Sequence, residues 1–319
     1  MSKPFLTIPQ QVDLMRYRGV DADDYTAAIL AREGYYSVVN GYKEPFLDRE
    51  ASRAAGDDRY TSGTRFTDIY DLFSFDRALR MLTFAPLVRA EATCRTAIAY
   101  CFSDRHRNPD DYLLQSSYCT KEEYEAYKRG GKPYAKELSG LTGDLSRKLH
   151  RSRSDFVAHY MIAHGSVPLW VLCNELTFGN LEHFFNLMKP GEREDVCRMI
   201  ATSTGRLGNR RMGFFSVEEA RVSLEVLVEF RNICAHDERL YCARVGGRKN
   251  INYDEMVWRL ERFMTQEDFY GFLADLFDLI ISGMRKNPKI EAVLGPLGFE
   301  SLVDKLNDRR MTPESEADA

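Results

Sequence analysis

Residues 230–241 read Phe230-Arg231-Asn232-Ile233-Cys234-Ala235-His236-Asp237-Glu238-Arg239-Leu240-Tyr241 and close a helical pattern that begins near Val217. Along it Ala220, Leu224, Leu227, Arg231 and Cys234 recur at steps of four and three, the repeat of one helix face. An arginine therefore occupies the stripe that should face the core. A buried, unpaired guanidinium costs several kcal/mol or more, so Arg231 needs either an acid inside the fold or a cleft into which an anion comes. Both solutions satisfy the pattern.

His236 lies five residues on. An ideal helix separates two such side chains by roughly 140° and about 7.5 Å, so they share a site only if the helix loosens near Cys234, ends at His236, or meets a second copy across a two-fold axis. The chemistry suited to the pair is RNA cleavage. An imidazole moves a proton to or from a ribose oxygen near neutral pH, and a guanidinium clamps a phosphate in bidentate fashion. The spacing alone is not specific, because Arg153 and His159 stand six apart in the same chain.

Other strings accompany the first. They are Gly34-Tyr35-Tyr36; Phe75-Asp76-Arg77-Ala78-Leu79-Arg80, followed by Glu91 and Arg95 four residues apart; and Pro168-Leu169-Trp170, followed by Glu175 and Phe178-Gly179. Together with Arg-Asn-Ile-Cys-Ala-His-x-x-Arg-Leu, these four separated strings, in this order, resemble the Abi-like (AbiD/AbiF) abortive-infection proteins, a branch of the HEPN superfamily of RNA-cleaving helical domains. The resemblance spans most of residues 8–245.

Composition sets outer bounds. A chain of 319 residues with 44% hydrophobic and 29% charged content can bury a large core. A net charge of −4 and a pI near 6.0 argue against a broadly basic nucleic-acid binder, so any RNA contact comes from a local patch. Seven cysteines without a Cys-x-x-Cys pair point to reduced thiols rather than disulfides or zinc. The amino-terminal residues hold no apolar signal segment and no run approaches a membrane span, so a cytoplasmic protein is expected.

Helices are expected over 8–17 (Pro9 in the first turn), 23–32, 66 onward, 155–163, 192–207, 217–236, 255–264 and 267–284. Pro86 predicts a break between two long helices; Leu87, Ala90, Cys94, Ile98 and Cys101 line the inner face of the second. Residues 34–46 break the period with glycine and proline, and their tyrosines either plug a helical core or offer base-stacking surfaces. Residues 48–63 read as an exposed loop. His106, between two arginines in another polar stretch, reads either as a phosphate contact or as part of a solvated loop. The apolar run 167–181 predicts a buried helix that Gly179 either bends or opens to the close approach of another backbone. Alternating strands are scarce and there is no glycine-rich phosphate loop, so an all-α fold is expected; the resemblance implies one elaborated HEPN-like bundle over 1–310, its core near 66–240, and a disordered acidic tail is expected at 311–319.

Arg147, Lys148, Arg151 and Arg153 form the densest basic run, and Arg210 and Arg211 a second basic turn; both are candidate RNA contacts. Glu91 adjoins the apolar stripe beside Arg95, and Glu175 stands inside an apolar run, which makes either acid a possible partner for Arg231. Resemblance to the Abi-like family implies a metal-independent, cofactor-free endoribonuclease of a toxin-like phage-defence system. In it His236 acts in general acid or base catalysis, Arg231 stabilises the phosphate and Asn232 orients one of them. It also implies an RNA substrate, a homodimer that completes the site, and restraint by a small RNA or antitoxin. The alternative is a non-catalytic RNA-binding or sensing protein in which Arg231 is a counterion.

Overall fold

The pattern that should break at Pro86 runs straight through it: in the computed structural model residues Phe66–Arg105 form a single helix of 40 residues. Pro86 removes one hydrogen bond, a loss of about 3 kcal/mol in an isolated helix, but the helix continues, and Leu79, Leu87 and Ala90 on either side of it are wholly buried. The structure describes residues 4–128, 132–206, 213–247 and 250–311.

Ahead of this helix (α4) come α1 (Ile8–Tyr17), α2 (Asp24–Glu33) and α3 (Arg49–Ala55). After it follow α5 (Lys121–Tyr127), α6 (Tyr134–Arg151), α7 (Asp155–His164), α8 (Leu169–Leu172), α9 (Phe178–Leu187), α10 (Pro190–Ser203) and α11 (Val217–Ala235). The chain closes with α12 (Tyr253–Leu260), α13 (Gln266–Lys286), α14 (Pro288–Leu294) and α15 (Phe299–Met311). Among the described residues there is no strand, only three isolated β-bridges, so the fold is all-α. No helix there is long and apolar enough to cross a membrane.

The sequence reading needs four local corrections. Residues 34–46 are largely helical: Tyr36–Asn40 forms a π-helical turn, whose wider pitch defeats a 3.6-residue pattern. Residues 48–63 are not one exposed loop, because Asp48 accepts the N–H groups of Glu50 and Ala51 and starts α3. The apolar run 167–181 breaks not at Gly179 but before it: Leu176 is extended and Thr177 caps a new helix, α9. And α14 and α15 occupy a stretch in which no helix was expected. Residues 312–319, most of the expected tail, lie outside the described residues.

The chain divides into two compact units. The first comprises 1–82, 237–243 and 273–319, and its core gathers Ile29, Val38, Val39, Ile69, Leu72, Leu79, Leu276, Ile280 and Leu302. Gly283 on α13 permits a close approach there, since a Cβ at that position would sit 2.7 Å from the ring of Phe75. Asp76, fully buried, accepts hydrogen bonds from Tyr42 Oη (2.7 Å), Arg80 Nη1 (2.6 Å) and the backbone N–H of Leu240 (3.1 Å) and Tyr241 (2.6 Å). Arg80 also binds the carboxylate of Asp237 and the carbonyl of Glu238.

The second unit comprises 83–236 and 244–272. Helix α9 packs against both α6 and α11, and α11 also packs against α12 and α10. Leu138, Leu141, Leu145 and Leu149 of α6 are buried at helical spacing, and Phe102, Tyr118 and Phe184 form an aromatic cluster. Glu137 is buried among Tyr124, Lys128 and His183; burial raises its pKa, but the bonds from His183, Lys128 and Tyr124 outweigh this and hold it at about 2. Five cysteines, Cys94, Cys101, Cys119, Cys173 and Cys197, are buried thiols. Burial pushes Cys173 and Cys197 up to about 12.

Candidate active site

Helix α11 begins where the local chemistry says it should, with Ser216 accepting the Glu219 N–H and two acids in the first turn. Its stripe is buried at Ala220, Leu224 and Leu227, then opens: Arg231 and Cys234 are half-exposed and Asn232 is exposed. The helix ends at Ala235, so His236 is its C-cap, its N–H on the carbonyl of Asn232 at 2.9 Å, and Asp237 follows in the left-handed region at φ 57°. The helix thus ends at the histidine, and among the described residues no hydrogen bond joins the Arg231 and His236 side chains. The imidazole of His236 is exposed.

Arg231 meets Glu91 inside the unit. Its Nε donates to Glu91 Oε2 at 3.2 Å, while Nη1 reaches Asn232 Oδ1 at 3.3 Å. Glu91 is only 5% exposed, and its other oxygen accepts Arg95 Nη2 at 2.7 Å. Two guanidiniums thus share one carboxylate. Each is about a quarter exposed, so neither is sealed in the interior, and the buried Arg95 Nε has no hydrogen-bond partner among the described residues. The local sum is one positive charge in excess, held near the surface by a buried acid.

Glu175 does not join this group. It lies in a 3-10 turn, and what it offers is its main-chain carbonyl, which accepts Lys148 Nζ; its carboxylate makes no ion pair among the described residues. The basic run is likewise divided. Arg147 is exposed but bound to Asp144 at 2.6 Å, Lys148 is half-buried on Glu175, and Arg151 and Arg153 stand exposed without such a partner among the described residues. Arg153 precedes α7 in non-helical chain, so helical spacing does not relate it to His159. Arg210 and Arg211 lie outside the described residues.

Two further expectations change. Tyr42 is buried on Asp76 and Tyr35 accepts a bond from Arg18, which leaves Tyr36 as the exposed ring of that segment. His106 is not a solvated loop residue: it stacks on Phe102 with centroids 4.2 Å apart and bonds the buried Glu192 at 2.7 Å.

Arg95 also borders something the sequence did not single out. A groove of about 450 Å³ runs along α4 and the α8 turn, lined by Arg95, Tyr100, Asp104, Arg107, Trp170 and Asn174 among others. Its aromatic members are 63% (Tyr100) and 54% (Trp170) exposed. A tryptophan at the second position of a helix begun by Pro168 was the available signal, hidden by the apolar run around it.

A family model described as Abi-like protein matches residues 28–242. The chain belongs to the Abi-like family. That match takes in all of α4 and α11 and ends just after the buried Asp76 cluster's last backbone donor, Tyr241. No curated protein and no solved structure matches the chain. Membership of the Abi-like family links it to abortive infection, a form of phage defence.

Proposed function

We propose that this Abi-like protein is a metal-independent endoribonuclease of the HEPN type, which acts as a toxin-like effector of abortive infection. The observation that supports it most is the shared acid: Arg231 and Arg95 divide the single carboxylate of Glu91, which leaves an uncompensated cation five residues from an exposed imidazole. A phosphodiester supplies the missing negative charge. Glu91 fixes the Arg231 side chain through Nε, so the remaining nitrogens present a preset fork to the phosphate oxygens.

In this reading a ribose 2′-hydroxyl attacks the adjacent phosphorus in line. One His236 removes the hydroxyl proton as the new P–O bond forms, and the P–O5′ bond breaks as a second His236 gives a proton to the leaving oxygen. The products are a 2′,3′-cyclic phosphate and a 5′-hydroxyl, with protons in balance. Arg231 stabilises the charge that builds on the phosphoryl oxygens, and Asn232 holds the Arg231 Nη1 in place. Two histidines require two chains, so a homodimer belongs to the proposal, as does restraint by an inhibitory RNA or antitoxin.

The Arg231–Glu91 ion pair also favours a second reading, in which the pair is structural and the protein binds or senses RNA without cutting it. Incubation of purified protein with RNA in EDTA decides between them. Wild type should cleave. His236→Ala should lose cleavage by a factor of about 10² to 10⁴ with an unchanged melting temperature. A chelator-sensitive activity, or full activity in the alanine variant, would overturn the nuclease assignment.

A further inference from the structure

We infer that the groove beside Arg95 is a binding subsite for unpaired nucleotides of an RNA strand, with bases stacked on Tyr100 and Trp170 and a backbone phosphate on Arg95. The inference rests on the proposed nuclease reading for its link to cleavage, through Arg95 and Arg231 on the shared Glu91.

Three features of the groove select this ligand. First, two large aromatic side chains line it and remain more than half exposed; every base has a π-face, so such rings accept single strands of any sequence. A duplex keeps its bases stacked inside and presents no face to them. Second, the groove contains two guanidiniums, and the charge is not evenly cancelled. Arg107 is bound to Asp104 at 2.6 Å, whereas among the described residues Arg95 shares its one acid, Glu91, with Arg231. The anion is thereby directed to Arg95, at the end of the groove nearest Glu91. Third, Asn174 lines the wall with its amide anchored on the Val171 carbonyl at 3.2 Å, a fixed polar group suited to a base edge or ribose hydroxyl. A volume of about 450 Å³ falls inside the usual span of small-ligand sites, roughly 300 to 1,000 Å³, which is room for a nucleotide or two rather than a helix.

The chain has only two tryptophans, Trp170 and Trp258. This makes the test direct. In full-length Trp258→Phe protein, emission comes from Trp170; titration with a single-stranded oligoribonucleotide should quench it, and the same strand annealed to its complement should not. In the His236→Ala background, which is not cut, Tyr100→Ala and Trp170→Ala should each weaken single-strand binding roughly tenfold by anisotropy, and Tyr100→Phe should restore it. Circular dichroism melts of each variant separate lost stacking from lost folding, and rescue by phenylalanine does the same by an independent route.

Unchanged affinity in the double alanine variant, or equal quenching by duplex, overturns the subsite. So does quenching by a polypeptide partner but not by RNA. The parent reading fails separately: if the groove variants lose binding but wild type never cleaves RNA, the subsite stands and the nuclease does not. If His236→Ala abolishes cleavage while Tyr100→Ala and Trp170→Ala cut and bind as wild type, the nuclease stands and the subsite does not.

Discussion

Helix α4 carries two arginine–carboxylate groupings that are built in opposite ways. In the first unit one arginine, Arg80, serves two acids, Asp76 and Asp237, and Asp76 gathers four donors while both Asp76 and Arg80 are closed off from solvent. In the second unit two arginines, Arg231 and Arg95, serve one acid, Glu91, and both guanidiniums keep a quarter of their surface in solvent. The first grouping is closed at its centre, and its spare negative charge rests on Asp237, which is 68% exposed. A grouping with a surplus cation at the surface has an unmet requirement, and that requirement describes a ligand.

The sharpest way to break the comparison is to remove each acid in turn. Asp76→Ala takes from buried Arg80 one of its two acids and leaves a tyrosine hydroxyl and two backbone N–H groups without their acceptor, and should cost about 3 to 5 kcal/mol of stability, read as a large drop in denaturant midpoint. If the protein tolerates it, the closed grouping is not closed. A pH series gives the next largest effect through Glu137, a third matched acid. Its pKa is about 2 in the folded chain against 4.5 for the unperturbed group, so its contribution is complete above about pH 4.5 and is lost as pH falls toward 2. The loss is about 3 kcal/mol, and melting curves of wild type and Glu137→Gln should converge over that window while differing at pH 7.

Glu91→Gln should have the smallest effect on folding, about 1 to 2 kcal/mol, because its partners can turn to water. It should instead steepen the salt dependence of RNA binding, since two guanidiniums now lack their acid. Should Glu91→Gln prove as destabilising as Asp76→Ala, with RNA binding unmoved, the two groupings are of one kind and the cation at Arg231 is architectural.

Much of this was legible in the chain. The helix expected over 8–17 from Pro9 matches α1, and the one expected over 217–236 from the stripe of Ala220, Leu224, Leu227, Arg231 and Cys234 matches α11 to within a residue. The oddity of an arginine on that stripe was visible without coordinates. What could not be read was anything that depends on distant partners. Asp76 draws its donors from positions 42, 80, 240 and 241, and no local pattern joins them. Tyr100 and Trp170 are seventy positions apart and look like ordinary members of apolar runs until the groove brings them together. Pro86 misled for the same reason: local propensity says break, and burial on both sides overrules it.

The buried cysteines have one more consequence. Sulfurs enclosed by packed helices, with their protons held on, cannot be reached by peroxide or alkylating reagents while the chain is intact. Oxidation of these five thiols therefore falls on molecules that have already begun to come apart, and their accessibility, counted apart from that of the half-exposed Cys234 and Cys242, doubles as a measure of how often the second unit opens.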